Sequence, residues 1–323
     1  MVDRVLITGG NGNLGRLVAA RLSADGARVT RFDLPGTTRE RERAVDVGAE
    51  RDAPERIVVG DVTDATILSA VFEAGRFDAV CHLASLLSGS SEQDRLRAWE
   101  INATASLSLM DLAVAHNCRR FFFASTFATY GAVPRGAVSL DAQQWPENLY
   151  GVTKIAVERL GAYFAARHGL DFRCARFPMV LSPFAPAGAA TAYPSHAFRA
   201  AAAGKPFVFP VSRDAGVSTM HLDDVVEAIV RLLHVDGERL REPVYNLHAF
   251  FVSAGEIADL IARRVPGFSP QFKPQADVQA LIEGWPDALN DGAARADWGW
   301  APCDDLDVIA DRMMAQIASN DAR

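Results

Sequence analysis

Short apolar runs alternate with amphipathic stretches over the first two thirds of the chain. Val5-Leu6-Ile7 runs straight into glycines, and Leu14, Leu17, Val18 and Leu22 then recur at helical spacing. Further apolar strands are predicted over Val29–Phe32, closing on Asp33, over Arg56–Val59, closing on Asp61, and over Asp78–Leu83. A long helix is predicted over Leu96–His116, then a strand over Arg120–Ala124, a helix from Tyr150 to His168 and a strand over Asp171–Arg176. Strand and helix in strict alternation predict a doubly wound α/β fold with a parallel sheet. The charged stretch Thr37–Arg56 interrupts the alternation and reads as a solvated loop.

Beyond Phe177 the texture changes. Pro178, Pro183, Pro186, Pro194, Pro206 and Pro210 break the chain into short segments, Asp223–Leu233 returns as a helix, and the tail from Phe251 is mixed α/β. The predicted organisation is a nucleotide-binding domain over 1–176, rejoined by about 217–248, with 177–216 and 249–323 forming a smaller substrate lobe. The chain has 323 residues, enough for a full core, and a net charge of −7, which argues against a nucleic-acid surface. Cys81, Cys118, Cys174 and Cys303 form no metal-binding spacing and read as reduced thiols of a cytoplasmic protein. No signal peptide, membrane span or metal site is expected.

Two stretches carry chemistry. Thr8-Gly9-Gly10-Asn11-Gly12-Asn13-Leu14-Gly15 lies between the first strand and the first helix. Its Gly9, Gly12 and Gly15 suit a tight turn, a close approach by a pyrophosphate and close helix packing, with the phosphates at the helix N-terminus. Asp33 then stands where a carboxylate accepts hydrogen bonds from ribose hydroxyls and repels a 2′-phosphate, so NAD is expected over NADP. Arg31 and Arg39 are the cations nearby. Asp61-Val62 fits against an adenine, or Asp61 caps the following helix. Tyr150 and Lys154 share a helix face. An ammonium beside a phenol should lower its pKa and make the pair a general acid/base for an alcohol.

The glycine motif, Asp33, Asp61-Val62, His82-Leu83-Ala84, Asn102, Ser125-Thr126 with Tyr130-Gly131, and Tyr150 with Lys154 together resemble the extended short-chain dehydrogenases over nearly the whole chain. The resemblance implies a Rossmann domain, NAD, and a catalytic trio of Thr126, Tyr150 and Lys154. It implies cofactor contacts from Gly9, Gly12, Asn13, Leu14, Gly15, Asp33, Asp61, Val62, Leu83, Ala84 and Asn102, besides Tyr150 and Lys154. Ser125 has the ordinary alternative of a polar strand end, and Asn102 that of a structural hydrogen-bond hub. Trp285-Pro286-Asp287-Ala288-Leu289-Asn290-Asp291 and Ala294-Arg295-Ala296-Asp297-Trp298-Gly299-Trp300 are similar to the tail of short-chain-type L-threonine 3-dehydrogenases. Leu86-Leu87-Ser88 and Met220 with Asp223-Asp224 agree.

One segment departs from that group. Where it carries a glycine- and threonine-rich run with an aspartate before a tyrosine, this chain reads Ala187-Gly188-Ala189-Ala190-Thr191-Ala192-Tyr193, which is similar to D-erythronate-type dehydrogenases. The expected substrate is therefore a small hydroxy acid or hydroxy amino acid oxidised to a ketone, with Ser88, Thr126, Tyr150, Thr191 and His196 as its contacts. His196 alone would read as an ordinary core or surface histidine. The alternatives are a nucleotide-sugar epimerase or dehydratase and a non-catalytic NAD sensor. Against the epimerase stands Val217, where such enzymes typically place an arginine for the diphosphate. Retention of Thr126, Tyr150 and Lys154 argues against the sensor. A homodimer through the helices Leu96–His116 and Tyr150–His168 is expected from the resemblance.

Overall fold

A computed structural model describes residues 2–36, 53–185, 190–303 and 305–321. Arg39 and Ala187-Gly188-Ala189 lie outside them, as does most of the charged stretch 37–56. Seven strands form one sheet in the order Val244–Asn246, Asp171–Phe177, Arg120–Thr126, Ala79–His82, Arg4–Thr8, Arg28–Asp33 and Glu55–Val59. Every neighbouring pair in it is parallel. This is the doubly wound Rossmann order, and its direction reverses between Arg4–Thr8 and Ala79–His82.

The pleat explains why the first strand is apolar throughout. Leu6 packs with Phe32, Phe72 and Leu109 on one face. Val5 and Ile7 pack with Val18, Leu22 and Ile229 on the other, so helices cover both sides. The helix Leu149–His168 is bounded by its own sequence. Asn148 caps its start by accepting from the Gly151 N–H at 2.8 Å, and Gly169 ends it in the left-handed conformation at φ 68°.

A second core gathers Phe127, Tyr130, Tyr193, Phe198, Phe209, Ile257, Trp285 and Met313. Around it lies a three-stranded sheet in which Gly216–His221 pairs with Met179–Leu181 and Phe250–Ser253. Val217 is fully buried in this apolar core. The tail returns to the larger sheet: Trp298 and Trp300 join its core, and Asp297 accepts from the Tyr245 hydroxyl at 2.8 Å and from Arg241. Cys81, Cys118 and Cys174 are buried free thiols, and Cys303 is an exposed one. Among the described residues no helix is long and apolar enough to cross a membrane, and no cluster suits a metal ion.

Candidate active site

The turn after the first strand needs its glycines. Gly9 has φ 71°, and a Cβ there would lie 2.7 Å from the Ala84 backbone nitrogen. A Cβ on Gly15 would lie 2.3 Å from the Gly9 carbonyl oxygen. The first helix, Asn13–Ala24, starts at Gly12 with no side-chain cap and no acidic residue in its first turn. Its leading N–H groups are thus an anion site beside a cradle that any side chain would fill.

A cleft of about 250 Å³ opens there, at the reversal of strand order. Of the residues expected at the cofactor, Gly9, Gly12, Asp33, Asp61, Val62, Leu83 and Ala84 line it. Leu34, Gly60, Ser85 and Ile101 line it too and escaped the sequence reading, since nothing but position marks them, and Leu86, singled out there only for its resemblance beside Ser88, lines it as well. Asp33 is pinned by the Asn11 N–H and the Leu34 N–H, each at 2.8 Å. Arg31 is buried and committed elsewhere: it pairs with Glu55 at 2.8 Å and donates to the Gly10 carbonyl. The Asn13 side chain reaches out to the Phe184 carbonyl at 3.2 Å, tying the glycine turn to the segment that follows the strand Met179–Leu181. Leu14 is half-buried at the same helix start.

The helix Ala65–Gly75 is capped by Asp64, not by Asp61. Asp61 instead accepts from the Thr63 N–H and hydroxyl and pairs with Arg97. Burial opposes ionisation of Asp61, but these partners outweigh it and hold the carboxyl below its ordinary value. Asn102 sits in a π-helical turn, Glu100–Thr104, inside the predicted long helix. Its amide clasps Leu86, accepting from the N–H at 2.8 Å and donating to the carbonyl at 3.0 Å, so its side chain is a structural hub. Ser125 is a buried strand-end residue that donates to Glu158 at 2.5 Å.

Thr126 ends the strand Arg120–Thr126, and its hydroxyl accepts from the Ala128 N–H at 3.2 Å. Tyr150 is in the first turn of the helix Leu149–His168. The helix start packs against the turn just after Thr126, because Gly151 has no side chain: a Cβ there would lie 2.6 Å from the Ala128 carbonyl. Lys154 is buried, donates to the Ala124 carbonyl at 2.9 Å and lies 5.3 Å from the Tyr150 ring centre. His82, on the neighbouring strand, binds Thr8 at 2.6 Å and Ser106 at 2.8 Å. Burial, with Lys154 nearby, pushes this imidazole down to about 3.

The Tyr150 phenol is not lowered as its neighbour Lys154 suggested. Burial pushes it up to about 12, while burial pushes Lys154 down to about 8 against the raising influence of Cys174 and Glu158. The ammonium faces a backbone carbonyl, so desolvation of the phenol dominates its titration. Of the expected substrate contacts, Ser88 opens the short helix Ser88–Gln93 beside the helix Leu149–His168. Thr191 lies in the turn Ala190–Ala192, and His196 is half-buried on the helix Tyr193–Ala202. Ala192 is buried.

The profile of the NAD dependent epimerase/dehydratase family covers residues 5–247. The chain belongs to that family. It is an NAD-dependent enzyme acting on CH–OH groups, and the glycine cradle, uncapped helix start and Asp33 fit that cofactor. A GalE-like L-threonine dehydrogenase from Cupriavidus necator, in its holo form, superposes with a TM-score of 0.86 at 30% identity, over 97% of this chain and 99% of that one. The mitochondrial L-threonine 3-dehydrogenase of Sus scrofa is 29% identical, over 96% of this chain and 82% of its own. An uncharacterized epimerase/dehydratase of Staphylococcus haemolyticus is 28% identical over 98% of both.

Proposed function

We propose that the chain oxidises a secondary alcohol of a small polar hydroxy acid to a ketone. NAD, when bound, supplies the hydride acceptor. The N–H groups at Asn13, Leu14 and Gly15 would hold its pyrophosphate, Asp33 its adenosine ribose, and Val62 with Asp61 its adenine. Thr126 would hold the substrate oxygen, Tyr150 as phenolate would take its proton, and Lys154 would stabilise that phenolate before the transfer. The division into a nucleotide domain over 1–176 with about 217–248 and a substrate lobe over the remainder is part of this proposal, with Trp298 and Trp300 reaching back to the sheet.

The observation that carries the substrate class is Ala192, buried at the start of the helix Tyr193–Ala202. The L-threonine 3-dehydrogenase pattern has an aspartate there, able to face a substrate ammonium. An ammonium buried without a carboxylate loses its hydration with little return. One charge-assisted hydrogen bond is worth about 1.5–3 kcal/mol, roughly 10–150-fold in affinity. At equal concentration, four- and five-carbon hydroxy acids and aldonates are expected to exceed L-threonine in kcat/KM by at least about tenfold. L-threonine as best substrate by a wide margin would refute this pocket argument.

We also propose a homodimer and a cytoplasmic setting. Leu96 is 87% exposed, and Trp99, Leu107, Val152 and Tyr163 are exposed with it on the helices that flank this face. The buried reduced thiols suit a reducing compartment. Light scattering of the purified protein at micromolar concentration should give twice the chain mass, and Leu96→Glu should give the single mass. A wild-type monomer would contradict the dimer.

A further inference from the structure

Behind the candidate site lies a buried ionic network that the chemistry above leaves unused. Glu158 and Arg176 are almost wholly buried and face each other twice, at 3.0 Å and 2.8 Å. Glu158 also accepts from Ser125 and from Gln144 at 3.1 Å. Arg176 donates to the Tyr130 hydroxyl at 2.6 Å and the Leu140 carbonyl at 3.0 Å, and Tyr130 donates to Asn246 at 2.8 Å. A buried pair of this kind gives little net stability against an apolar replacement, so its value is better sought in what it positions.

The register answers that. Ser125 lies opposite Arg176 in adjacent parallel strands, so both present to the same face of the sheet, where Glu158 descends from the helix. Consecutive residues of one strand end are then used in order: the Ala124 carbonyl holds Lys154, the Ser125 hydroxyl holds Glu158, and Thr126 is left for the substrate. Lys154 and Glu158 are one helical turn apart. We propose that Glu158, clamped by Arg176, is a positioning residue that fixes Thr126 in register with Tyr150 and keeps a negative charge one turn from Lys154. This rests on the catalytic roles given above to Thr126, Tyr150 and Lys154.

The charge has a kinetic consequence. The titratable and charged groups around Lys154 are Tyr150 and Glu158 on its own helix, Cys174 and Arg176 on one strand and His82 on another. Burial holds Lys154 down to about 8 and Tyr150 up to about 12. When this pair carries a single proton, only a small fraction has it on the lysine with the phenol ionised. Each unit by which Lys154 falls further lowers that fraction tenfold and moves the inflection near 8 to lower pH by one unit. A residue that served packing alone would not tie these two changes together.

The test measures kcat, KM and the pH profile of kcat/KM for Glu158→Gln, Glu158→Asp, Ser125→Ala and the double variant Glu158→Gln with Arg176→Met. For Glu158→Gln the inflection near 8 should fall by at least about half a unit and kcat by at least about threefold, with KM for NAD almost unchanged. Glu158→Asp should restore the wild-type profile, and Ser125→Ala should lower kcat without moving the inflection. If Glu158→Gln does not fold, the double variant, which buries no lone charge, replaces it as the test of positioning and should lower kcat by at least about threefold; because the cation leaves with the anion, its inflection should move less than that of a variant lacking Glu158 alone. An unmoved inflection in folded Glu158→Gln, full kcat in the double variant, or full kcat in Ser125→Ala overturns the proposal. Tyr150→Phe run alongside separates the cases: activity there would fault the catalytic trio, whereas an inactive Tyr150→Phe with an unmoved Glu158→Gln profile would fault this inference alone.

Discussion

Tyr150→Phe is expected to lower kcat by about 10²–10⁴-fold, the range of a positioned general acid/base, with NAD affinity changed by less than about twofold. The hydroxyl is the only part removed. The ring that packs against the second core stays, Lys154 is untouched, and the residues lining the nucleotide cleft lie on other elements. Since burial holds the phenol up to about 12 and Lys154 down to about 8, the pair keeps both protons below the lower value. Alcohol oxidation requires it to have lost one. The oxidation rate should therefore climb as pH rises toward 8, and the climb should vanish with Tyr150→Phe. Turnover near wild type in that variant, measured with saturating NAD, would remove Tyr150 from the mechanism.

Cofactor choice should be the second large effect. NAD is expected to exceed NADP in kcat/KM by at least about 100-fold. Two unit charges about 4 Å apart near a protein surface interact by about 4 kcal/mol, so even a screened fraction of the repulsion between Asp33 and a 2′-phosphate supplies this factor. Asp33 lies in the cleft wall and is held by two N–H groups, so it does not swing aside at low cost. Arg31, the cation that could have reversed the preference, is spent on Glu55 and the Gly10 carbonyl. Asp33→Asn should narrow the preference by at least about tenfold. Equal use of both cofactors by the wild type would mean that another group governs the ribose end.

What could be read from the sequence was whatever is local. The glycines at 9, 12 and 15, the carboxylate closing the second strand and the tyrosine and lysine on one helix face are each set by neighbours within a turn or two, and the structure brings them to one end of one sheet. The Rossmann order followed because alternating strands and helices leave few right-handed solutions. The rest depended on distant partners. Asp61 and Asp64 are equivalent caps on paper, and it is Thr63 together with Arg97, from a helix far along the chain, that draws Asp61 aside. The Tyr150 pKa was misread because the pattern shows an ammonium nearby but neither the burial nor the Ala124 carbonyl that the ammonium faces. Glu158 needed the pairing of Ser125 with Arg176, which no periodicity displays.

The fate of the hydride tests the central claim most directly. Substrate carrying deuterium at the carbinol carbon is to be incubated with the enzyme and NAD, and the products followed by NADH absorbance and mass spectrometry. A dehydrogenase of the kind proposed should accumulate NADH mole for mole with a ketone, the deuterium residing on the NADH, for a small hydroxy acid such as a four-carbon aldonate. Deuterium returned to an epimerised or dehydrated product without net NADH, or no turnover of any hydroxy acid alongside ready turnover of a nucleotide sugar, would contradict the account.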